Sequence, residues 1–472
     1  MGFVDQVETS SAGLSSGMID DLKEAVGAEK VSTAEEVCRE FGADRWHAAA
    51  MPDAVVEATS RDEVVATLKF ANENEIPVTT RGAGVGYVGG CVPVKGGILL
   101  SVRKMDRILE INPADGVAVV EPGVILNDLQ EQVRDKGWYY PPDPASLKEC
   151  SVGGTIATNA GGPRCVKYGV TRHYVLGLEV VLPNGEILET GGRCHKNKTG
   201  LDLIGMFVGS EGLLGVVTKA TLRLIPHPEA RAMLTATFAN FETAAEAVQT
   251  ILNSGWQPSG LEITDGFTLQ AARDYLGPEM LPDGDAHLIV ELDGRKNTVL
   301  QDLGHLKTLV ESLGAVSVEE ARDKESCEAI WTLRREFSYS LRDTGLIKLN
   351  EDIVVPRSRL VDLVRFARQL EKDTGIPVAC FGHAGDGNIH TNLMVKNYDT
   401  DPVAREKADA ALDILFHWII ENDGQITGEH GVGLAKKRWF KDAVSPVSAD
   451  LHRQLKATLD PKGILNPGKF IE

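Results

Sequence analysis

The sequence predicts an α+β protein whose two differently patterned halves each hold a sheet, closed by a helical C-terminal segment. Three observations carry this. Residues 53–224 interleave short apolar runs with capped helical stretches. Residues 230–400 repeat strand–helix–strand twice, the rhythm of a ferredoxin-like sheet with helices on one side. From residue 403 the chain reads as helix, broken by glycines at 428–433.

Residues 1–50 read as helical. Residues 53–58 form a short strand, and Ser60-Arg61-Asp62-Glu63 is a capping box. Val64, Val65, Leu68 and Ala71 then follow at helical spacing. A second helix begins near Asn127 and ends at Gly137. Strand-like runs lie at 78–80, 97–102, 117–120, 178–182 and 216–224, and Pro226 and Pro228 mark a boundary. Beyond it come strands at 231–240, 260–263, 287–293, 346–355, 376–382 and 389–395. Between them lie helices ending near Asn253 and Gly314 and one over 357–372, and a last helix stops before Pro461. The chain divides into an N-terminal segment 1–50, a unit 51–226, a unit 227–425 and a C-terminal segment 426–472.

The 472 residues are 43% hydrophobic and 25% charged, an ordinary globular composition that excludes collagen-like, coiled-coil and disordered chains. The net charge of −19 argues against nucleic acid and anionic membrane as partners. An acidic substrate then needs local positive charge. The seven cysteines form no C-x-x-C, so a disulfide framework, a Cys-rich zinc site and an Fe–S cluster are not expected. The start lacks the basic and apolar regions of a signal peptide, and no apolar stretch is long enough for a bilayer. A cytoplasmic location is expected, with peripheral association with the inner membrane left open.

Two glycine-rich runs stand out. Gly84-Val85-Gly86-Tyr87-Val88-Gly89 fits G-x-G-x-x-G, but Gly90-Cys91-Val92-Pro93 follows and then a strand, where the dinucleotide fingerprint needs a helix. What survives is a run of backbone N–H groups able to approach phosphate closely, or a plain structural loop. Ser151-Val152-Gly153-Gly154-Thr155-Ile156-Ala157-Thr158-Asn159-Ala160-Gly161-Gly162 is a second run, preceded by Pro141-Pro142-Asp143-Pro144-Ala145-Ser146. Together they suggest one long, flat, phosphate-bearing cofactor.

Further on stands Phe381-Gly382-His383-Ala384-Gly385-Asp386-Gly387-Asn388-Ile389-His390-Thr391-Asn392. If Asp386-Gly387 are the two turn residues of a hairpin, His383 and His390 are direct cross-strand partners with Cβ atoms ~5 Å apart. Asn392 points the same way. Two imidazoles on one face make half a metal site; the alternative is a pair of polar turn-flanking histidines. Thr427-Gly428-Glu429-His430-Gly431 adds a carboxylate and an imidazole between glycines. Two His and one Glu suit catalytic zinc, and also iron or manganese. On a helix, Arg334 and Ser338 share one face, either to bind a carboxylate or simply to face water.

Residues 52–225 resemble the FAD-binding domain of the vanillyl-alcohol oxidase and p-cresol methylhydroxylase superfamily. The matching motifs are Pro77-Val78-Thr79-Thr80-Arg81-Gly82-Ala83-Gly84, Gly96-Gly97-Ile98-Leu99-Leu100, Met105-Asp106-Arg107-Ile108, Pro144-Ala145-Ser146, Gly153-Gly154-Thr155 and Asn159-Ala160-Gly161-Gly162. The resemblance implies a two-subdomain FAD-binding domain followed by a ferredoxin-like substrate (cap) domain and a helical segment that returns to the FAD domain. It places FAD on Arg81, Gly82, Ala83, Gly84, Val85, Gly86, Pro144, Ala145, Ser146, Gly153, Gly154, Thr158, Asn159, Gly161 and Gly162. Gly212, Val216 and Asn466 would lie near the cofactor. With Val85 where some relatives carry a flavin-linked histidine, the FAD is expected to be non-covalent.

From 52 to 472, including Leu459-Asp460-Pro461-Lys462-Gly463-Ile464-Leu465-Asn466-Pro467-Gly468, the chain resembles the D-2-hydroxyacid dehydrogenase branch of that superfamily. This branch holds D-lactate dehydrogenases, D-2-hydroxyglutarate dehydrogenases and the flavin subunit of glycolate oxidase. The resemblance implies that His383, His390 and Glu429 are metal ligands, zinc first. It implies that Arg334, Ser338, Lys348 and Asn392 contact substrate and that His430 is the general base. Relatives often carry Thr where this chain has Ser338; the hydroxyl is kept. The implied reaction takes hydride from a small anionic D-2-hydroxy acid to FAD, with D-lactate the leading substrate. Electrons would leave to an external acceptor: an electron-transfer flavoprotein, a quinone, a cytochrome or a partner subunit. A homodimer is left open. A zinc hydrolase or a non-catalytic flavin-binding module would each leave half of these motifs idle.

Overall fold

The computed structural model describes residues 5–6, 13–46 and 48–471. In the first unit Ala54–Glu57, Ile98–Ser101 and Val78–Arg81 lie parallel, with Val31–Ser32 antiparallel at the edge. The helix Arg61–Glu73 makes the crossover, and Val64, Leu68 and Ala71 on its inner face are fully buried beneath the sheet. Burying side chains of this size contributes about 1.5–3 kcal/mol for each large one. The capping box forms with a shift: Ser60 Oγ accepts from Glu63 N at 3.3 Å, but the Glu63 carboxylate returns to Thr59 N at 2.6 Å. A second, antiparallel sheet runs Ile187–Gly191, Val175–Val181, Val216–Arg223, Val117–Val120 and Ile108–Asn112.

The expectation of a helical stretch over 1–50 holds for Ser16–Val26 and Glu35–Phe41. It fails at Asp5–Gln6, which pairs as a short strand with Ala48–Ala49, while residues 1–4, 7–12 and 47 lie outside the described residues.

The second half is one antiparallel sheet of seven strands. Their order is Ser317–Ala321, Ala230–Phe238, Ala286–Gly294, Gly260–Asp265, Val378–His383, Asn388–Val395, Ile347–Val354. Alternate residues of each strand point to opposite faces. One face meets the helices Phe241–Asn253, Lys296–Ser312, Leu360–Thr374 and Pro402–Glu421 in the largest core of the chain. The other face is not open, as one-sided cover would leave it. Met233, Ile289, Phe381 and Met394 project there and are covered by the helices Gly266–Leu276 and Lys324–Asp343. The same face also carries Glu262, Glu291, Asp352, His383 and His390, of which Glu262, His383 and His390 line a cavity shared with the first unit.

The C-terminal segment returns to the first unit. Val78 N donates to Ile464 O and Asn466 N donates to Val78 O, both at 2.7 Å.

Candidate active site

The strand Val78–Arg81 runs into the first glycine-rich loop, and no helix follows it. Among the described residues, none of the backbone N–H groups of residues 82–88 donates to a protein acceptor. Seven adjacent unused donors on a cavity wall fit an anionic, phosphate-bearing cofactor. Arg81 braces this loop from below. Its Nη1 donates to Phe41 O at 3.2 Å and to Ala43 O, and a Cβ on Gly84 would lie 2.1 Å from its guanidinium.

The second run contains the short helix Val152–Thr158, capped by Ser151 Oγ and ended by left-handed Asn159. Several glycines read as cofactor contacts are glycine because protein packs on them. A Cβ on Gly82 would meet Ser151 Oγ at 2.6 Å, on Gly153 Pro122 Cβ at 2.6 Å, and on Gly162 Asp143 O at 2.5 Å. The two runs therefore lock to one another and to the proline-rich corner.

One cavity of about 2240 Å³ touches both runs and the polar face of the seven-stranded sheet. Arg81, Gly82, Ala83, Gly84, Val85, Gly86, Pro144, Ala145, Ser146, Gly153, Gly154, Thr158, Gly212 and Val216 line it. Asn159, Gly161, Gly162 and Asn466 do not. Asn159 Oδ1 instead accepts from Arg172 N at 2.9 Å, and Asn466 Nδ2 ties Gly90 O to Glu211 O at 3.0 and 2.8 Å. These four shape the walls from behind.

The histidine ribbon differs in register from the two-residue turn expected. His383 faces Asn388, and His390 faces Phe381, across a four-residue loop 384–387. Gly387 is held by the neighbouring strand: Val355 N donates to its carbonyl at 3.0 Å, and a Cβ there would lie 2.1 Å from Val355 O. A slip of two residues preserves the face, so both rings still share one side, 5.7 Å apart at their centroids. Asn392 is on that face, but its Nδ2 donates to Ala379 O and His390 O, each at 3.0 Å, and it does not reach the cavity wall.

Glu429 and His430 sit in a loop clamped at both ends. Asp352 Oδ2 accepts from Thr427 Oγ1, Gly428 N, Glu429 N and His430 N at 2.8–3.0 Å. Glu211 accepts from Val432 N and Gly433 N at 2.7 and 2.9 Å. The ligand atoms of His383, His390 and Glu429 all fall within 4.8 Å of one another. His390 Nδ1 is buried and has no hydrogen-bond partner among the described residues, and Glu429 Oε1 lies 3.3 Å from His383 Nε2. His383 Nδ1 meets Glu262 Oε1 at 2.5 Å, the outer carboxylate that fixes a ligating imidazole. The set fits a divalent cation.

Arg334 is 8% exposed and sits beside this set, but not as a free clamp. Its Nε and Nη2 fork onto Glu262 Oε2 at 2.8 and 2.7 Å. Burial pushes the Glu262 carboxyl up, and the His383 and Arg334 charges overcome it to hold it at about 2. Lys348 Nζ donates to Ser338 Oγ at 2.7 Å. Burial, aided by Arg342 and Arg334, pulls this ammonium down to about 7. Burial also pulls His430 below the usual imidazole value, against Asp352, which raises it.

Two contacts bring the glycine-rich runs to the histidine cluster, and a third joins its loop to Glu211. The Tyr87 and His430 rings lie 5.3 Å apart. A Cβ on Gly161 would come within 3.1 Å of Glu429 Oε1, and one on Gly431 within 2.6 Å of Glu211 Oε1. Glu262, Asp352 and Glu211 were not identified from sequence. For Glu262 there was a signal, since it is an acid inside a strand between Leu261 and Ile263.

Residues 227–470 match the family of FAD linked oxidases, C-terminal domain, and residues 52–191 match the FAD binding domain family. The chain is 39% identical to glycolate oxidase subunit GlcD of Bacillus subtilis, over 89% of each chain. It is 34% identical to a D-lactate dehydrogenase of Anaerostipes hadrus, over 96% of this chain and 97% of that one. A D-lactate dehydrogenase of Archaeoglobus fulgidus is 35% identical over 88% of this chain and 91% of its own. Among solved structures, 4-ethylphenol oxidase from Gulosibacter chungangensis superposes with a TM-score of 0.77 at 22% identity, covering 97% of this chain and 98% of that one. p-Cresol methylhydroxylase has the same TM-score, 0.77, at 20% identity, over 97% of this chain and 98% of its own. The fold is therefore that of the vanillyl-alcohol oxidase superfamily, and the chain belongs to the FAD-linked oxidoreductases of the D-lactate dehydrogenase and glycolate oxidase family.

Proposed function

We propose that this chain oxidises a D-2-hydroxy acid, D-lactate first, to the corresponding 2-oxo acid. The observation that carries the reading is the single cavity in which the two glycine-rich runs face His383, His390, Glu429 and His430. FAD, held non-covalently by residues 82–86, 144–146 and 153–158, would supply the acceptor for the two electrons and the hydrogen leaving C2. A divalent ion on His383, His390 and Glu429, zinc first and iron or manganese also suited, would supply the charge that acidifies the substrate hydroxyl.

The chain's own groups do the rest. His430, kept neutral near pH 7 by its burial, accepts the hydroxyl proton at Nε2, the ring atom turned away from Asp352. Lys348 Nζ and the remaining Arg334 Nη1 hold the substrate carboxylate against the chain's net charge of −19. Ser338 Oγ orients Lys348. Electrons then pass to an external acceptor, an electron-transfer flavoprotein, quinone, cytochrome or partner subunit. Glycolate and D-2-hydroxyglutarate are the alternative substrates of the same site. No helix among the described residues is long and apolar enough to cross a membrane.

The test is anaerobic mixing of the purified yellow protein with D-lactate, L-lactate, glycolate and D-2-hydroxyglutarate. Loss of the 450 nm flavin band with a D-2-hydroxy acid is expected. A protein without flavin, or one that none of these acids bleaches, refutes the proposal.

A further inference from the structure

Arg164 is the first residue after Gly161-Gly162-Pro163, so it leaves the second glycine-rich run and enters the other unit's territory. Its guanidinium uses every edge. Nε and Nη2 fork onto Glu291 at 2.7 and 2.8 Å, and Nη1 donates to Asp143 in the proline-rich corner. The plane lies 5.0 Å over the Trp331 ring, whose Nε1 donates to the same Glu291 at 2.6 Å. Ser259 Oγ at 2.9 Å and Arg231 Nε at 3.2 Å complete the shell around Glu291.

The backbone carries the connection further. Trp331 stands three residues before Arg334 on the helix Lys324–Asp343, and Arg334 forks onto Glu262, which holds His383 Nδ1. Glu262 and Glu291 lie on adjacent strands of the sheet. Two buried clusters, Asp143–Arg164–Glu291–Trp331 and Arg334–Glu262–His383, are thus joined by the helix that carries Trp331 and Arg334 and by the paired strands that carry Glu262 and Glu291. Asp143, Glu291, Glu262 and Trp331 are each 5% exposed or less. Next to the first cluster, Lys167 Nζ and Tyr168 OH bind Asp293, two residues along from Glu291.

We propose that Arg164 is a positioning residue that sets the distance between the flavin-bearing corner and the His383–His390–Glu429 cluster. It lines the cavity, but its guanidinium is committed to Glu291, Asp143 and Trp331. It acts by holding two buried carboxylates, one from each unit, on one rigid fork. Without it Asp143 loses the partner that ties it to Glu291, Glu291 keeps only Arg231, Trp331 and Ser259, and no shared fork fixes the corner to the sheet. Lysine keeps the charge but cannot bind two carboxylates in one plane. The inference rests on the 2-hydroxy acid reading above for its kinetic readout, but not for its spectral one.

The test uses R164M and R164K in the FAD- and metal-loaded protein. Four quantities are measured: FAD and metal per chain, the half-saturating acid concentration, the limiting anaerobic bleaching rate, and the visible circular dichroism of the flavin. The expected result is unchanged FAD and metal content and half-saturation within twofold of wild type. The limiting rate should fall roughly tenfold or more in R164M and over threefold in R164K, since misplacement by about 1 Å can cost 10²-fold. A limiting rate within threefold of wild type in both variants overturns the proposal, and so does loss of FAD from R164K. If R164M does not fold, R164K decides alone by the same limits. If wild type is bleached by no 2-hydroxy acid, the functional reading fails separately. The dichroism then decides, with superimposable flavin bands in wild type and R164K overturning the role given to Arg164.

Discussion

Replacing Asp352 with asparagine removes a negative charge from beneath the loop that carries Glu429 and His430. Oδ2 of Asp352 collects four donors, and Oδ1 accepts from Asn388 Nδ2 at 2.7 Å. The carboxylate is ionised: burial pushes its pKa up, but His430, Lys436, His390 and the Glu429 N–H together hold it well below the usual range. A hydrogen bond to a charged group is worth about 1.5–3 kcal/mol and a neutral one about 0.5–1.5, so at mid-range four conversions cost about 5 kcal/mol. An asparagine that keeps its oxygen toward the loop also turns its NH₂ against Asn388 Nδ2. Asn388 cannot flip freely, because the same nitrogen donates to Ile353 O at 2.9 Å. Lys436, 1% exposed and 3.8 Å from Oδ2, loses its counter-charge. These losses overlap, and stranding one partner of a buried pair costs about 3–5 kcal/mol, which we take as the total. D352N should therefore unfold at lower urea. Its limiting bleaching rate should drop about 10²-fold, because the proton acceptor and one candidate ligand shift together. FAD content should stay at wild type, since the cofactor runs do not touch Asp352. Wild-type urea midpoint and bleaching rate in D352N would refute this reasoning.

Three further outcomes are expected. Lys348 titrates at about 7 and binds a carboxylate only when charged, so acid affinity should be full below that pH and weaken by up to about tenfold per unit above it. K348M should bind weakly with no such pH dependence, and a wild-type affinity that rises with pH would contradict the assignment. Chelation of the divalent ion should abolish bleaching by the acid while the flavin stays bound and reducible by dithionite, and re-added zinc should restore it; full bleaching in metal-free protein would rule out a metal role. Gly431 sits at φ 85° with its missing Cβ 2.6 Å from Glu211 Oε1, so G431A should cost about 1–3 kcal/mol in strain and release the loop, read as a lower urea midpoint and a slower bleaching rate.

What was legible in the sequence was local. The glycine runs, the His383/His390 spacing and the Gly428-Glu429-His430-Gly431 loop announce themselves because small or potentially ligating residues stand close together in the chain. The failure of G-x-G-x-x-G as a dinucleotide fingerprint was also legible, since Pro93 and the glycines near it forbid the helix. The hairpin register was not. It depends on Val355 from another strand gripping Gly387, which no local turn rule contains. Glu211, Glu262 and Asp352 escaped for the same reason: each acts on residues more than 70 positions away. Asn159, Gly161, Gly162 and Asn466 were placed at or near the cofactor by resemblance alone; the structure packs them against protein, behind the residues that line the cavity. The covered second face went unread because the helix Gly266–Leu276 was not recognised between its flanking strands.

The account rests on a divalent ion standing between the histidine ribbon and the flavin. Anomalous diffraction from crystals of the FAD-bound protein, collected above and below the zinc edge, tests that most directly. It should show one peak within bonding distance of His383, His390 and Glu429, on the side of the cavity that holds the isoalloxazine ring. A peak elsewhere, or none at full flavin occupancy in an active crystal, would contradict it.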